Sequence, residues 1–399
     1  MDVHTLPGPT DTGEDPRGLV TRKQRNPPST VPNSAELRRS DRKRQRREAR
    51  AGLWSVSKLV RPARCGRVVV GNEVAVHQVP NGDALRGAVT GLETCGSVWA
   101  CPVCSAHIRQ ERASEIAAGT TQHLQRGGGA LLGVFTVPHH RGDDLGTLLD
   151  GMTAAWRSVC RGAPWKRIRE RFGIVGMVKA WEVTFGANGF HPHFNALVFT
   201  ERPLTETEVL QLESVLHDRW SRMVQRRGLG EPSSAHGVSV QLVNDAESVG
   251  RYTAKVQEET IGLEVARGDL KDPRSRDRWL PFEILYAAAQ GEAWALNAWW
   301  EYERATHGHK CFTWTQGMRE LLELGEERED GEIVEDHGTS DETLLGYLSA
   351  VAWSVVCSVP GGDHRVLSAA ESSRCKDTAW AAVLSVIDQL ETERRVGYG

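Results

Sequence analysis

Apolar and polar positions change their period several times along this chain. Within Ser105–Leu124, Ile108, Ile116, Ala117 and Leu124 recur among charged residues, which predicts an amphipathic helix ended by Gly127–Gly129. Ala130–Pro138 is a continuous apolar run and predicts a buried strand. Met177–Phe185 and Phe190–Thr200 are both strand-like, and Gly186-Ala187-Asn188-Gly189 between them is a turn signal, so the two make a hairpin. A helix follows over Glu206–Arg226, with Val209, Leu212, Leu216 and Trp220 on its apolar face, then a strand over Gly237–Val243. Asp245–Glu258 reads as a helix with Asn244 or Asp245 as its N-cap. Beyond residue 280 the pattern is helical and rich in tryptophan, and 344–357 and 378–390 are strongly apolar.

The hairpin carries the first chemistry. Centring its turn between Ala187 and Asn188 pairs Phe185 with Phe190, Thr184 with His191 and Glu182 with His193. Cross-strand partners share a face, as do residues two apart on one strand, so Glu182, Thr184, His191 and His193 point the same way. Two imidazoles and a carboxylate in one patch suit a divalent metal ion; the plainer alternative is a pair of surface histidines. A shift of one residue in register would turn Glu182 to the other face. Pro192, between the histidines, lacks a ladder donor and places this stretch at a strand edge or end.

Charge modifies this picture by location. The total over 399 residues is only −3. Residues 1–50 carry 12 basic and 7 acidic side chains, whereas 317–343 carry 11 acidic and 2 basic. The first stretch, poor in apolar residues, predicts a disordered basic arm suited to a nucleic-acid backbone or simply to solubility. The second predicts an acidic linker kept away from nucleic acid. No window reaches the ~18 apolar residues of a membrane span. No secretory leader is evident at the N-terminus, so a location in the bacterial cytoplasm is expected.

Four of the eight cysteines cluster in sequence: Cys65, Cys95, Cys101 and Cys104. Cys101-Pro-Val-Cys104 presents two thiolates to one ion, and tetrahedral zinc needs two more. Cys95 supplies the third. Cys65 and His107 compete for the fourth place in what would be a closed, structural site. A redox pair and unligated thiols are the alternatives. On the expected helix 245–258, Tyr252 and Lys255 share a face. A tyrosine beside a cation suits a nucleophile of lowered pKa, although packing plus solvent is the commoner explanation of such a pair.

Together these parts resemble the single-tyrosine rolling-circle replication initiators of actinobacterial plasmids, within the HUH endonucleases. His191-Pro192-His193 resembles the His–hydrophobic–His motif, and Tyr252-Thr-Ala-Lys255 the Y-x-x-K motif. Phe135-Thr136-Val137 stands where the family's first strand motif is expected, and Cys95–Cys104 resembles its cysteine-rich segment. Leu280–Leu285, Trp300–Thr306 and Phe312–Arg319 resemble its C-terminal stretch. The likeness runs over roughly 55–320 in order.

The resemblance implies an α+β HUH core, a central antiparallel sheet flanked by helices. An N-terminal Cys-rich zinc segment would precede the core and a helical region would follow it. The expected layout is a basic arm at 1–50, the Cys-rich segment and helix at 51–125, the nuclease core at 126–280, a helical extension at 281–320, the acidic linker at 321–343 and helices at 344–399. It further implies Mg²⁺ or Mn²⁺ on His191 and His193, with Glu182 as third ligand from the hairpin geometry. Tyr252 would attack a DNA phosphate, with Lys255 beside it and Thr136 in a supporting place. The implied partners are single-stranded or hairpin origin DNA and the host helicase and polymerase. One departure stands out: Ser248, not an acid, lies one helical turn before Tyr252, and Glu247 is the nearest base for a terminating cleavage. DNA crossing the histidine face is expected to meet Arg157, Arg161, Lys166, Arg167, Arg169 and Arg171. The absence of a G-x-x-x-x-G-K-[ST] motif argues against a fused helicase.

Overall fold

A computed structural model describes residues 34–82, 84–243, 278–335 and 342–396. The chain divides into two units, 1–40 and 41–399. Of the first, the described part is the start of helix α1 (Ser34–Val56); all that follows concerns the second.

The central sheet has five strands: β3 (Gly129–Thr136), β4 (Ile174–Gly186), β5 (Gly189–Thr200), β6 (Val238–Leu242) and β7 (Phe312–Trp314). Their order is β6-β3-β5-β4-β7, and every neighbouring pair is antiparallel. The β4–β5 hairpin closes through the Gly186–Gly189 pair, with Phe185 opposite Phe190, as the turn chemistry predicts. The left-handed φ of +86° falls on Gly189, where a Cβ would also come within 3.1 Å of the Arg141 backbone.

Two helices cover one face, α4 (Leu145–Val159) and α6 (Glu206–Gln225). Trp156 and Trp220 from them meet Phe135 and Phe194 of the sheet in edge-on contacts, while Phe135 and Phe194 stack at 5.0 Å. Asp144 caps α4, and Thr205 with Glu208 forms a capping box on α6. On the other face, His123 of α3 (Pro102–Gln125) packs edge-on against Phe199.

A second sheet, order β2-β1-β8, joins distant parts of the sequence: β1 (Glu73–Asn81), β2 (Ala84–Thr90) and β8 (Thr343–Ser349). Its core of Val74, Val76, Leu345, Leu348, Trp353, Val366 and Val383 is shared with α11 (Ala350–Ser358), α12 (Gly362–Ala370) and α13 (Lys376–Val396). The helical expectation for 344–399 is therefore corrected at its start. Leu345 and Leu348 are buried on a strand that needs β1 as partner, and a short apolar run does not reveal that partner. Similarly β7 interrupts the expected helical extension 281–320, which otherwise forms α7 (Pro281–Ala289) and α8 (Ala293–Thr306).

Two charge-based expectations are also corrected. Residues 41–50 are not a disordered arm but part of α1. Gln45, Ala49 and Arg50 are buried there, and Arg47 and Arg50 both reach Asp363 of α12, at 3.0 and 2.5 Å. The acidic stretch is no plain linker over 321–335. Helix α10 (Asp330–Glu335) buries Ile333 and Val334, and Arg112 of α3 meets Asp330 at 3.1 Å and Glu327 at 3.7 Å. In both places the charge served a folded partner remote in sequence. Among the described residues no helix is long and apolar enough to cross a membrane.

Candidate functional site

The hairpin register places Glu182 opposite His193 and Thr184 opposite His191, and His193 in turn lies opposite Thr136 of β3. These side chains share the sheet face turned away from Trp156 and Trp220. His193 Nε2 stands 2.9 Å from Glu182 Oε2. His191 sits between two imidazoles, its ring centroid 5.2 Å from that of His193 and 4.7 Å from that of His139. Burial, then the neighbouring His193 and His139, lowers the His191 pKa to about 4, so this imidazole is neutral at pH 7. A cavity bounded by His139, Thr184, His191, Arg278 and the hairpin turn opens onto the patch.

Two residues of this site escaped the sequence reading. Arg278 donates through Nη2 to Glu182 Oε1 at 2.9 Å, so Glu182 bridges a guanidinium and an imidazole. His139 follows the strand motif within Val137-Pro-His-His140, a nearby signal that could have drawn attention to it. Asn195, two positions past His193 on the same face, is fully buried, and among the described residues neither of its amide atoms has a partner; His193 Nδ1 is likewise buried without one among them. Thr136 donates its hydroxyl to the His236 carbonyl at 2.6 Å, tying the end of β3 to the loop before β6. Tyr252, Lys255 and Glu247 lie outside the described residues.

The basic residues expected beside the histidines go elsewhere. Arg157 lies on α4, and Lys166, Arg167, Arg169 and Arg171 on α5 (Gly162–Phe172), with Arg161 as its N-cap. Helix α4 packs on the Trp156 face, opposite the histidines. Arg169 donates to the carbonyls of Ile174 and Val175, Arg171 to Gln211, and Lys166 pairs with Glu170 on its own helix.

The four cysteines do converge. Their sulfurs all lie within 4.8 Å of one another, and all four residues are buried. Cys65 follows α2 (Val60–Arg64), Cys101 is the N-cap of α3, and Cys104 stands in its first turn after Pro102. Sγ separations of 3.6 Å (Cys65–Cys104, Cys95–Cys104) and 3.7 Å (Cys65–Cys101) are near the edge of a tetrahedron with ~2.3 Å metal–sulfur bonds, about 3.8 Å. The set is able to hold a metal ion such as zinc, with Cys65 rather than His107 completing it. Four thiolates around a Zn²⁺ ion would leave a net negative charge, which the buried Arg50 beside Cys65, Cys101 and Cys104 would offset.

Fold and site together define an α+β protein with antiparallel sheets, an imidazole–carboxylate patch and a four-thiol cluster. Two curated proteins are similar to it. "Protein rep" of Streptomyces lividans is 33% identical over 297 residues, covering 59% of this chain and 65% of that protein. "Neomycin resistance protein" of Streptomyces cyanogenus is 28% identical over 289 residues, covering 55% and 66%. The chain thus spans just under two thirds of each relative's length. No protein-family profile and no solved structure matches it.

Proposed function

We propose that the chain initiates rolling-circle replication of a plasmid by nicking and rejoining single-stranded or hairpin origin DNA, as an HUH endonuclease. The carrying observation is the hairpin register, which puts His191, His193 and Glu182 on one cavity-bounded sheet face. The similarity to a protein named for replication supports the same reading.

His191 and His193 would hold a divalent ion, Mg²⁺ or Mn²⁺, with Glu182 as third ligand. The neutral His191 imidazole and the orphaned, buried His193 Nδ1 fit such a group. When bound, the ion would polarise the scissile phosphate. Tyr252 is the proposed nucleophile: its phenolate oxygen bonds to phosphorus as the P–O3′ bond breaks, leaving a 5′-phosphotyrosyl link and a free 3′-hydroxyl for the host polymerase. Lys255 would steady the phosphate, and Glu247 is the nearest base for the terminating cleavage. The described residues flanking 244–277 favour this assignment. Val243 follows the edge strand β6, while Trp279 bridges to Phe185 at the other edge of the hairpin and Arg278 contacts Glu182.

The test is a covalent adduct between protein and origin single strand in Mn²⁺, read on a denaturing gel. Wild type forms it; Tyr252→Phe and the double variant His191→Ala/His193→Ala do not. An adduct retained by Tyr252→Phe removes the nucleophile. No adduct on any single-stranded substrate with metal present favours a zinc-containing DNA-binding protein without nuclease activity.

A further inference from the structure

The sheet face opposite the histidines holds a second feature. Between α4, α5, the first half of β4, residues 307–310 and β7 lies a groove of about 1090 Å³. Lys179 points to this side, since it alternates with Ala180 and Glu182 along β4. It is only 8% exposed, with Nζ 4.8 Å from the Trp181 ring centroid and 5.3 Å from that of Phe194. No carboxylate pairs with it among the described residues. Burial lowers its pKa to about 8, and Arg157 adds to the effect. One more polar group lining the groove, Thr153 Oγ1, is buried and has no partner among the described residues. Both can donate a hydrogen bond. Arg157, Arg169 and Lys310 also line the groove. Its single acid among the described lining residues, Asp150, is engaged with His309 at 3.5 Å.

A buried amine without a counter-charge is costly, and an unmade donor beside it adds to that cost. A hydrophobic ligand would leave these groups unsatisfied and a cation would be repelled. Phosphate oxygens accept several hydrogen bonds and bring the missing charge. The tryptophan walls supply flat faces of the kind on which nucleobases stack. We propose that this groove is a nucleotide site, taking a phosphate against Lys179, Arg157 and Lys310 and a base against the half-buried Trp165 of its α5 wall. The nucleotide is either free or one unit of a single strand; both present the same phosphate and base. The site does not depend on the nicking reading, because it lies on the other face and uses none of its residues.

The experiment titrates the full-length protein by tryptophan fluorescence and calorimetry with dTTP, a short oligothymidine and inorganic phosphate. Wild type, Lys179→Gln and the His191→Ala/His193→Ala variant are compared. Saturable binding of dTTP or the oligomer is expected, weakened at least about tenfold by Lys179→Gln and unchanged by the histidine variant. Competition by dTTP against the oligomer assigns a free nucleotide; binding of the oligomer alone assigns a strand. Inorganic phosphate binding as tightly as dTTP would overturn the base contact. Equal affinity in Lys179→Gln, or no binding by wild type, would overturn the site. If Lys179→Gln does not fold, the exposed charge reversals Arg157→Glu and Lys310→Glu carry the same expectation. A lost adduct in the nicking assay with intact nucleotide binding sinks the proposed function alone.

Discussion

His191 shows how far one side chain's surroundings set its chemistry. Its depressed pKa means that between about pH 4 and 6.5 the unfolded chain binds a proton there that the folded chain does not. Stability from this residue is therefore complete above pH 6.5 and falls as pH drops toward 4. Urea midpoints of the metal-free protein should decline over that window, and less steeply in His191→Gln; parallel profiles would refute the assignment. Asp363 behaves in the opposite chemical sense. Burial alone would raise its carboxyl, but Arg47 and Arg50 outweigh burial and hold it below the ordinary aspartate value. Its contribution is present above that ordinary value and is lost only as pH falls through the depressed one. Asp363→Asn leaves two arginines without their carboxylate and should cost about 3–5 kcal/mol in denaturant unfolding at pH 7. A loss under about 1 kcal/mol would show that the pair contributes no more than a surface bridge.

Among elements, the hairpin and the N-terminal turn of α3 were the legible ones, because their partners are near in sequence. Counting outward from Gly186–Gly189 sets Glu182 against His193, and Cys101-Pro-Val-Cys104 folds as a unit around a proline-started helix. Arg278 was invisible for the converse reason: it meets Glu182 across 96 positions of sequence. The basic run of α1 misled because two of its arginines, Arg47 and Arg50, face a single carboxylate more than 300 positions away. The thiol cluster yields an element-scale prediction. Purified protein should contain one zinc per four-cysteine set, and a strong chelator should lower the melting temperature. Changing any one of Cys65, Cys95, Cys101 or Cys104 to Ser should remove the metal; zinc retained at full occupancy by Cys65→Ser would return the fourth place to His107.

At the scale of the whole molecule, the two sheets meet different ends of the chain. The five-stranded sheet draws on residues 129–242 and adds only β7 from beyond them. The three-stranded one is complete only with β8, whose Leu345 and Leu348 enter a core begun by Val74 and Val76. Ending the chain before Thr343 should therefore expose that core and the edge of β1. The expected readout is loss of the cooperative thermal transition and aggregation, and a truncated protein that melts as wild type would refute the dependence. The pairing of Glu73 with Ser349 also has a meaning for synthesis, since these partners are about 270 residues apart. On the ribosome, β1 and β2 emerge long before β8 exists, so their open edge stays available to other chains for most of translation. The last strand to be made closes that edge, and its arrival separates an aggregation-prone nascent chain from a protein safe to release.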